Sequence, residues 1–233
     1  MTRGRPLRGD AWWVRLDECP LTPAALAVLS PREHRLWREL SGTPAARRFA
    51  VGRVALRHLL AAHGTDPAAE RRLHAYLTPV GERATGPVAR WSASGDGLVL
   101  LVCEGADTGV DLEAPRPTRR DGPPPVELLD AVERQTVAAI ADPAGRWAAF
   151  LRHWVRRQAV AKAAGLGILA DSSFPVLPDG PGCFRAVLPD GRCFDGQDLP
   201  VPGPFVAALA GTGPAALRWH PFEWPYPLDD TVP

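Results

Sequence analysis

The chain has 233 residues, 45% of them hydrophobic, and a formal charge of +1. That length holds one large domain or two ordinary ones, with ample apolar content for a soluble globular core. A near-zero balance excludes the global basic or acidic field that draws nucleic acid or a membrane surface, and no stretch approaches the ~20 apolar residues of a membrane span.

The first residues, Met1 to Arg5, are basic, but no apolar run of signal-peptide length follows, so the expected compartment is the cytosol. Trp12 to Leu16 reads as a first strand. Ser30-Pro31-Arg32-Glu33 carries the capping-box pattern with Pro at the first helical position, which predicts a helix to about Leu40. A second helix is expected over Ala45–His63, burying Phe49, Leu56, Leu59 and Leu60. Leu98 to Cys103 is a continuous apolar run of strand length, and Gly109 to Glu113 continues as another short strand. After a Pro/Gly/Arg-rich loop, Pro115 to Pro125, two helices are expected, roughly Val126–Ala141 and Pro143–Ala164, the second ended by Gly165 and Gly167. Short apolar runs between turn signals follow: Phe184–Leu188, Arg192–Phe194, Phe205–Ala210 and Leu217–Trp219. They predict an antiparallel sheet. The expected fold class is α+β, as two related α+β halves, residues 1–108 and 109–220, with a Pro-rich tail at 221–233.

Four cysteines are too few and too scattered for a disulfide framework. Cys183 and Cys193 flank a hairpin expected at Pro189-Asp190-Gly191, and they are expected to be reduced and packed as small hydrophobes. None has metal-ligand spacing to a histidine, so no zinc site is expected. Of 27 basic residues only Lys162 is lysine. A compact ammonium on a flexible stem is not equivalent to a guanidinium fork, so this position draws notice.

Two segments carry chemistry. In Gly109-Val110-Asp111-Leu112-Glu113, strand alternation puts both carboxylates on one face, ~6.5–7 Å apart along the backbone. Such a pair suits a hard divalent cation that keeps waters and binds substrate phosphates. In the helix containing Trp154, Gln158 and Lys162, four-residue steps place these three side chains in one stripe.

Together the segments resemble the two signature blocks of the phosphopantetheinyl transferase superfamily, G-[IV]-D-[IL]-E and W-x-x-K-E-A-x-x-K-x-x-G-x-G. Leu29-Ser30-Pro31 and the run Arg48 to Arg57 match its N-terminal helices, with their R-x-x-x-G-x-x-x-x-R spacing. Trp91-Ser92-Ala93-Ser94 resembles its F-[NS]-x-S-H block, and Pro204 to Ala210 its late G-Y-x-A-A-x-A strand. The likeness covers roughly residues 12 to 220 and is closest to the two-halved type that activates surfactin synthetase.

This resemblance implies a pseudo-twofold α+β protein, typically a monomer. Such a protein binds coenzyme A and Mg²⁺ between its halves and moves the 4′-phosphopantetheine arm to a serine of an acyl or peptidyl carrier protein. By the resemblance, Asp111 and Glu113 hold the magnesium. Lys162 steadies phosphate oxygens or helps with the serine proton, and Gln158 stands at the catalytic glutamate. Arg48, Arg53, Arg57 and Ser94 are candidates to contact coenzyme A. No nucleic acid or membrane partner is expected.

The chain departs from the pattern at ligand positions. Gln158 cannot accept a proton as a carboxylate does. Gly95 stands at the expected histidine, and Gly86 at the lysine of G-K-P, while Arg157 keeps the charge of the lysine before the glutamate. Three readings therefore stay open: a transferase that tolerates Gln158; the same fold turned to another step, such as cyclisation of a polyketide or peptide intermediate; and a non-catalytic module that binds a carrier or coenzyme A.

Overall fold

Alternation along the central strands dictates the layering. Leu98, Leu100 and Val102 turn to one face of their strand, whereas Val99, Leu101 and Cys103 turn to the other, and all six are buried. A strand buried on both faces reads as an unbroken apolar run, so the sequence carries no polar alternation there. A computed structural model describes residues 6–62, 87–104, 107–115, 122–166 and 174–226. Within them the protein is mixed α+β, with two sheets and five α-helices.

The first sheet has the order β2-β3-β1-β9, from β1 (Leu7–Arg15), β2 (Pro87–Ser94), β3 (Gly97–Glu104) and β9 (Ala215–His220). The second is β4-β8-β7-β6-β5, from β4 (Thr108–Glu113), β5 (Val176–Pro178), β6 (Cys183–Val187), β7 (Cys193–Asp198) and β8 (Val206–Gly211). The inner faces of the two sheets meet: Val99 and Leu101 of β3 pack with Val110 and Leu112 of β4 and Leu209 of β8. Helix α3 (Pro44–Ala62) covers the outer face of the first sheet through Val51, Leu56 and Leu59. Helix α5 (Pro143–Ala164) covers the second through Val155, Ala159, Val160 and Ala163.

Shorter helices brace these layers. Helix α1 (Pro23–Ala27) is capped by Thr22, and α2 (Pro31–Glu39) opens on the expected Ser30/Glu33 capping box. The helix expected over Val126–Ala141 is shorter: a 3₁₀ turn (Val126–Leu128) precedes α4 (Ala131–Ala138), because Asp130 and Glu133 form a second capping box that restarts the helix. Asp142 caps α5, and Gly165 closes it in the left-handed conformation at φ 69°. Gly86, Gly167 and the side chain of Leu60 lie outside the described residues.

One strand is misplaced by sequence reasoning. The segment at Leu217–Trp219 was expected in the antiparallel sheet of the second half, but β9 crosses back and pairs parallel to β1, from Leu7↔Ala215 to Trp12↔His220. Each β9 residue alternates burial, which fits an edge strand equally well in either sheet, so only long-range packing assigns it. The following residues stay with the first half, where Phe222 and Trp224 join its core.

The helix pairs α2/α3 and α4/α5 repeat at an offset of 100 residues. Glu33 closes a capping box and accepts from Arg57 at 2.6 Å; Glu133 closes the other and accepts from Arg157 at 2.8 Å. Arg57 also donates to Val28 O, and Arg157 to Phe174 O. Each arginine thus ties a long helix to the start of a short one. Burial pushes the Glu133 carboxyl up, against the pull of Arg157. Removing a partner from a buried ion pair leaves the other charge uncompensated. Arg157→Ala is therefore expected to cost about 3–5 kcal/mol in urea denaturation, and Arg57→Ala, at a side chain 18% exposed, distinctly less.

Cys183 and Cys193 sit at opposite ends of their strand pair, since Cys193 faces Val187 and Cys183 faces Gln197. All four cysteines are free thiols. Burial pushes the Cys19 and Cys103 thiols up to about 11. Iodoacetamide at neutral pH is expected to label exposed Cys183 first and half-buried Cys193 next, sparing Cys19 and Cys103 until the chain is denatured, as read by intact mass.

Candidate functional site

The site begins with a glycine. Helix α5 lies so close to β4 that a Cβ on Gly109 would collide with Ala159 O and Ala163 N, and would stand 2.8 Å from Lys162 Cβ. Only a residue without a side chain lets the two backbones touch. That contact brings the next residues on the same face, Asp111 and Glu113, under the stripe holding Gln158 and Lys162.

Asp111 is 6% exposed. Its Oδ1 accepts from Lys162 Nζ at 2.7 Å and from Ser92 Oγ at 3.2 Å. Lys162 Nζ also donates to Ser92 Oγ and to Val110 O, both at 3.1 Å, so its three protons are all directed inward. Burial pushes the Asp111 carboxyl up, and the ammonium of Lys162 opposes that push. Among the described residues Asp111 Oδ2 is buried and accepts no hydrogen bond, and Gln158 Oε1 is in the same condition. Both are oxygen acceptors turned into the protein without a donor, a costly arrangement unless something binds them.

Glu113, at the end of β4, accepts from Ser94 Oγ at 2.9 Å. The two serines also stitch the sheets together: Ser92 Oγ accepts from Leu112 N–H at 3.2 Å, and Ser94 Oγ from Ala114 N–H at 3.1 Å. Strands β2 and β4 therefore run side by side in the same direction, and hydroxyls replace the ladder between them. Ser94 is engaged within the chain. Ser92 was not expected in the site, although strand alternation places it on the face of Ser94.

Two arginines of α3 have partners of their own in the first half. Arg57 is held by Glu33 and Val28 O, and Arg53 Nε stands 3.6 Å from Glu33 while its guanidinium rests over the Phe49 ring. Both brace the first half through Glu33. Arg48 is half-buried and makes no ion pair among the described residues.

Gly95 has a local cause. It opens the two-residue turn between β2 and β3 at φ 57°, where a type II′ hairpin turn takes glycine. A Cβ there would also stand 3.0 Å from Ala114 Cβ. A histidine at 95 would therefore strain this hairpin.

The donor set for a cation is two carboxylates and one amide oxygen. Among the described residues no group of three or more His, Cys, Asp and Glu side chains converges. Asp111, Glu113 and Gln158 supply oxygen donors, the chemistry a hard cation such as Mg²⁺ takes with few protein ligands, and two of those oxygens are buried without a donor among the described residues.

Neither a scan against protein-family models nor a search of curated proteins returns a match for this chain. No helix among the described residues is long and apolar enough to cross a membrane.

The contact at Gly109 can be tested directly. Overpacking against backbone cannot be relieved by a rotamer change, so Gly109→Ala is expected to cost at least ~2 kcal/mol or to abolish folding. Gly122→Ala, with open space around its Cβ, is expected to stay within ~0.5 kcal/mol in the same denaturation experiment.

Proposed function

We propose that this chain is a phosphopantetheinyl-transferase-like protein, with two pseudo-twofold-related α+β halves. It would move the phosphopantetheine arm of coenzyme A to a serine of an acyl or peptidyl carrier protein. One observation carries the reading: Asp111 on β4 and Lys162 on α5, remote in sequence, meet at 2.7 Å, and among the described residues Asp111 Oδ2 and, one helical turn before Lys162, Gln158 Oε1 are buried without a donor. The 100-residue recurrence of helix pair, capping box and arginine brace supports the two related halves.

Phosphoryl transfer depends on positioning and charge neutralisation. Asp111, Glu113 and Gln158 would hold magnesium, which when bound neutralises charge on the diphosphate of coenzyme A. Lys162 opposes the burial that pushes the Asp111 carboxyl up, and it sets a positive charge beside the groove. Gln158 can orient a hydroxyl through its Oε1 but takes no proton from it. The reading therefore includes slow transfer, or redirection of the same groove to another step on a carrier-bound or free intermediate. Gln158 at the place of a glutamate is the observation that favours redirection.

The test is to incubate the protein with coenzyme A, Mg²⁺ and several apo carrier proteins, and to read the mass gain of the arm. Gln158→Glu adds a base and a third carboxylate, so it is expected to raise loading by roughly 10²-fold, the scale of general-base catalysis. It is also expected to gain thermal stability with added Mg²⁺, as a site with more anionic ligands binds the ion more tightly. If wild type and a folded Gln158→Glu both leave every carrier unloaded and bind no coenzyme A by calorimetry, the transferase reading is overturned.

A further inference from the structure

A cavity of about 590 Å³ opens beside Glu113, between the N-terminal half of α5 and the ends of β4 and β8. We propose that it binds an apolar, ring-bearing small molecule that is neutral or cationic. This goes beyond the transfer activity proposed above and does not depend on it.

One helix face builds the wall. Trp147 and Leu151, and Phe150 and Trp154, are four-residue pairs on α5, and all four side chains line the cavity. The Phe150 and Trp154 rings stack with centroids 6.2 Å apart, and Trp147 meets Phe150 edge-on at 5.7 Å. The indole N–H of Trp147 is already committed to Gly122 O at 2.9 Å. Pro115, Pro125 and Pro204 line the cavity too, and a proline offers no backbone N–H. The lining is therefore pre-ordered and nearly free of polar demands, with Glu113 as its charged member. Its volume lies within the ~300–1,000 Å³ of small-molecule sites, which combine apolar walls with few polar groups.

The internal repeat shows what such a face ordinarily carries. One hundred residues earlier, Ala50 and Val54 hold the positions of Phe150 and Trp154, and they are fully buried. Helix α1, through Ala25, and the rings of Trp224 and Tyr226 pack with them. In the second half the counterpart of α1 is only the 3₁₀ turn Val126–Leu128. Among the described residues no aromatic pair takes the place of Trp224 and Tyr226. Phe150 stays buried against Leu129 and Val137, while the space beside the rings of Trp147, Phe150 and Trp154 is left open. A planar or alicyclic ligand packs against such rings, and Glu113 selects against an anion.

The probes are N-phenyl-1-naphthylamine and its sulfonated analogue 1-anilinonaphthalene-8-sulfonate, which differ chiefly by one negative charge. Titration followed by fluorescence, without coenzyme A or carrier, is expected to give saturable one-site binding of the neutral probe. The sulfonate is expected to bind about tenfold more weakly, a difference that Glu113→Gln narrows. Ala148→Trp and Ala144→Trp fill the cavity from exposed positions that leave the core untouched. Each is expected to weaken the neutral probe at least about tenfold while the circular dichroism is unchanged. Absence of saturable binding, or undiminished binding by both folded variants, overturns the proposal. Equal affinity for the two probes overturns its charge preference. Loading of carriers is not read in this titration, so failure of the transferase reading leaves its outcome intact.

Discussion

Backbone pressed on backbone at Gly109 is the constraint from which the rest of the second half follows. Because α5 passes within contact of β4, the side chains just beyond the crossing are sealed between them. A lysine and an aspartate that would be ordinary surface residues on a looser helix become a 2.7 Å pair, with the carboxylate 6% exposed. Burial disfavours an ionised Asp111 and pushes its carboxyl up, and the ammonium opposes that push. Neither residue is placed without the missing Cβ.

The same geometry explains why three polar groups can share an interior. Ser92 accepts from the Leu112 amide and from Lys162 while donating to Asp111, so one hydroxyl joins two sheets and a helix. This network satisfies most of its members, but Asp111 Oδ2 and Gln158 Oε1 remain without donors. A buried network with two open acceptors is poor as a stabilising device. Its two open acceptors are the ones the proposed cation would use. Stability resides elsewhere, in the apolar layers on either side and in the two arginine braces.

Those braces also divide the chain's arginines by task. Arg57 and Arg157 perform one mechanical job in two places, each clamping a capping-box glutamate 24 residues earlier. The repeat is broken at the candidate site. Lys162 stands where the first half has Ala62, and Trp154 where it has Val54, while His153 replaces Arg53 beside the glutamate. The second half has thus kept the frame and changed the face that looks onto the sheet and the cavity.

Local chemistry was enough for the sequence to reveal the capping box at Ser30, the ends of α5, the alternation that puts Asp111 and Glu113 on one strand face, and the singular Lys162. Each depends on residues within a turn or two of one another. The recurrence of Leu29, Glu33 and Arg57 as Leu129, Glu133 and Arg157 was also present in the letters, as a self-comparison at an offset of 100 would reveal. Tertiary structure alone assigned β9 to the first sheet, turned Arg53 and Arg57 inward to Glu33, gave Gly95 its place in a hairpin, and recruited Ser92. Those outcomes join segments tens to hundreds of residues apart, where the energy of a contact depends on what else has already packed and no local pattern encodes the partner.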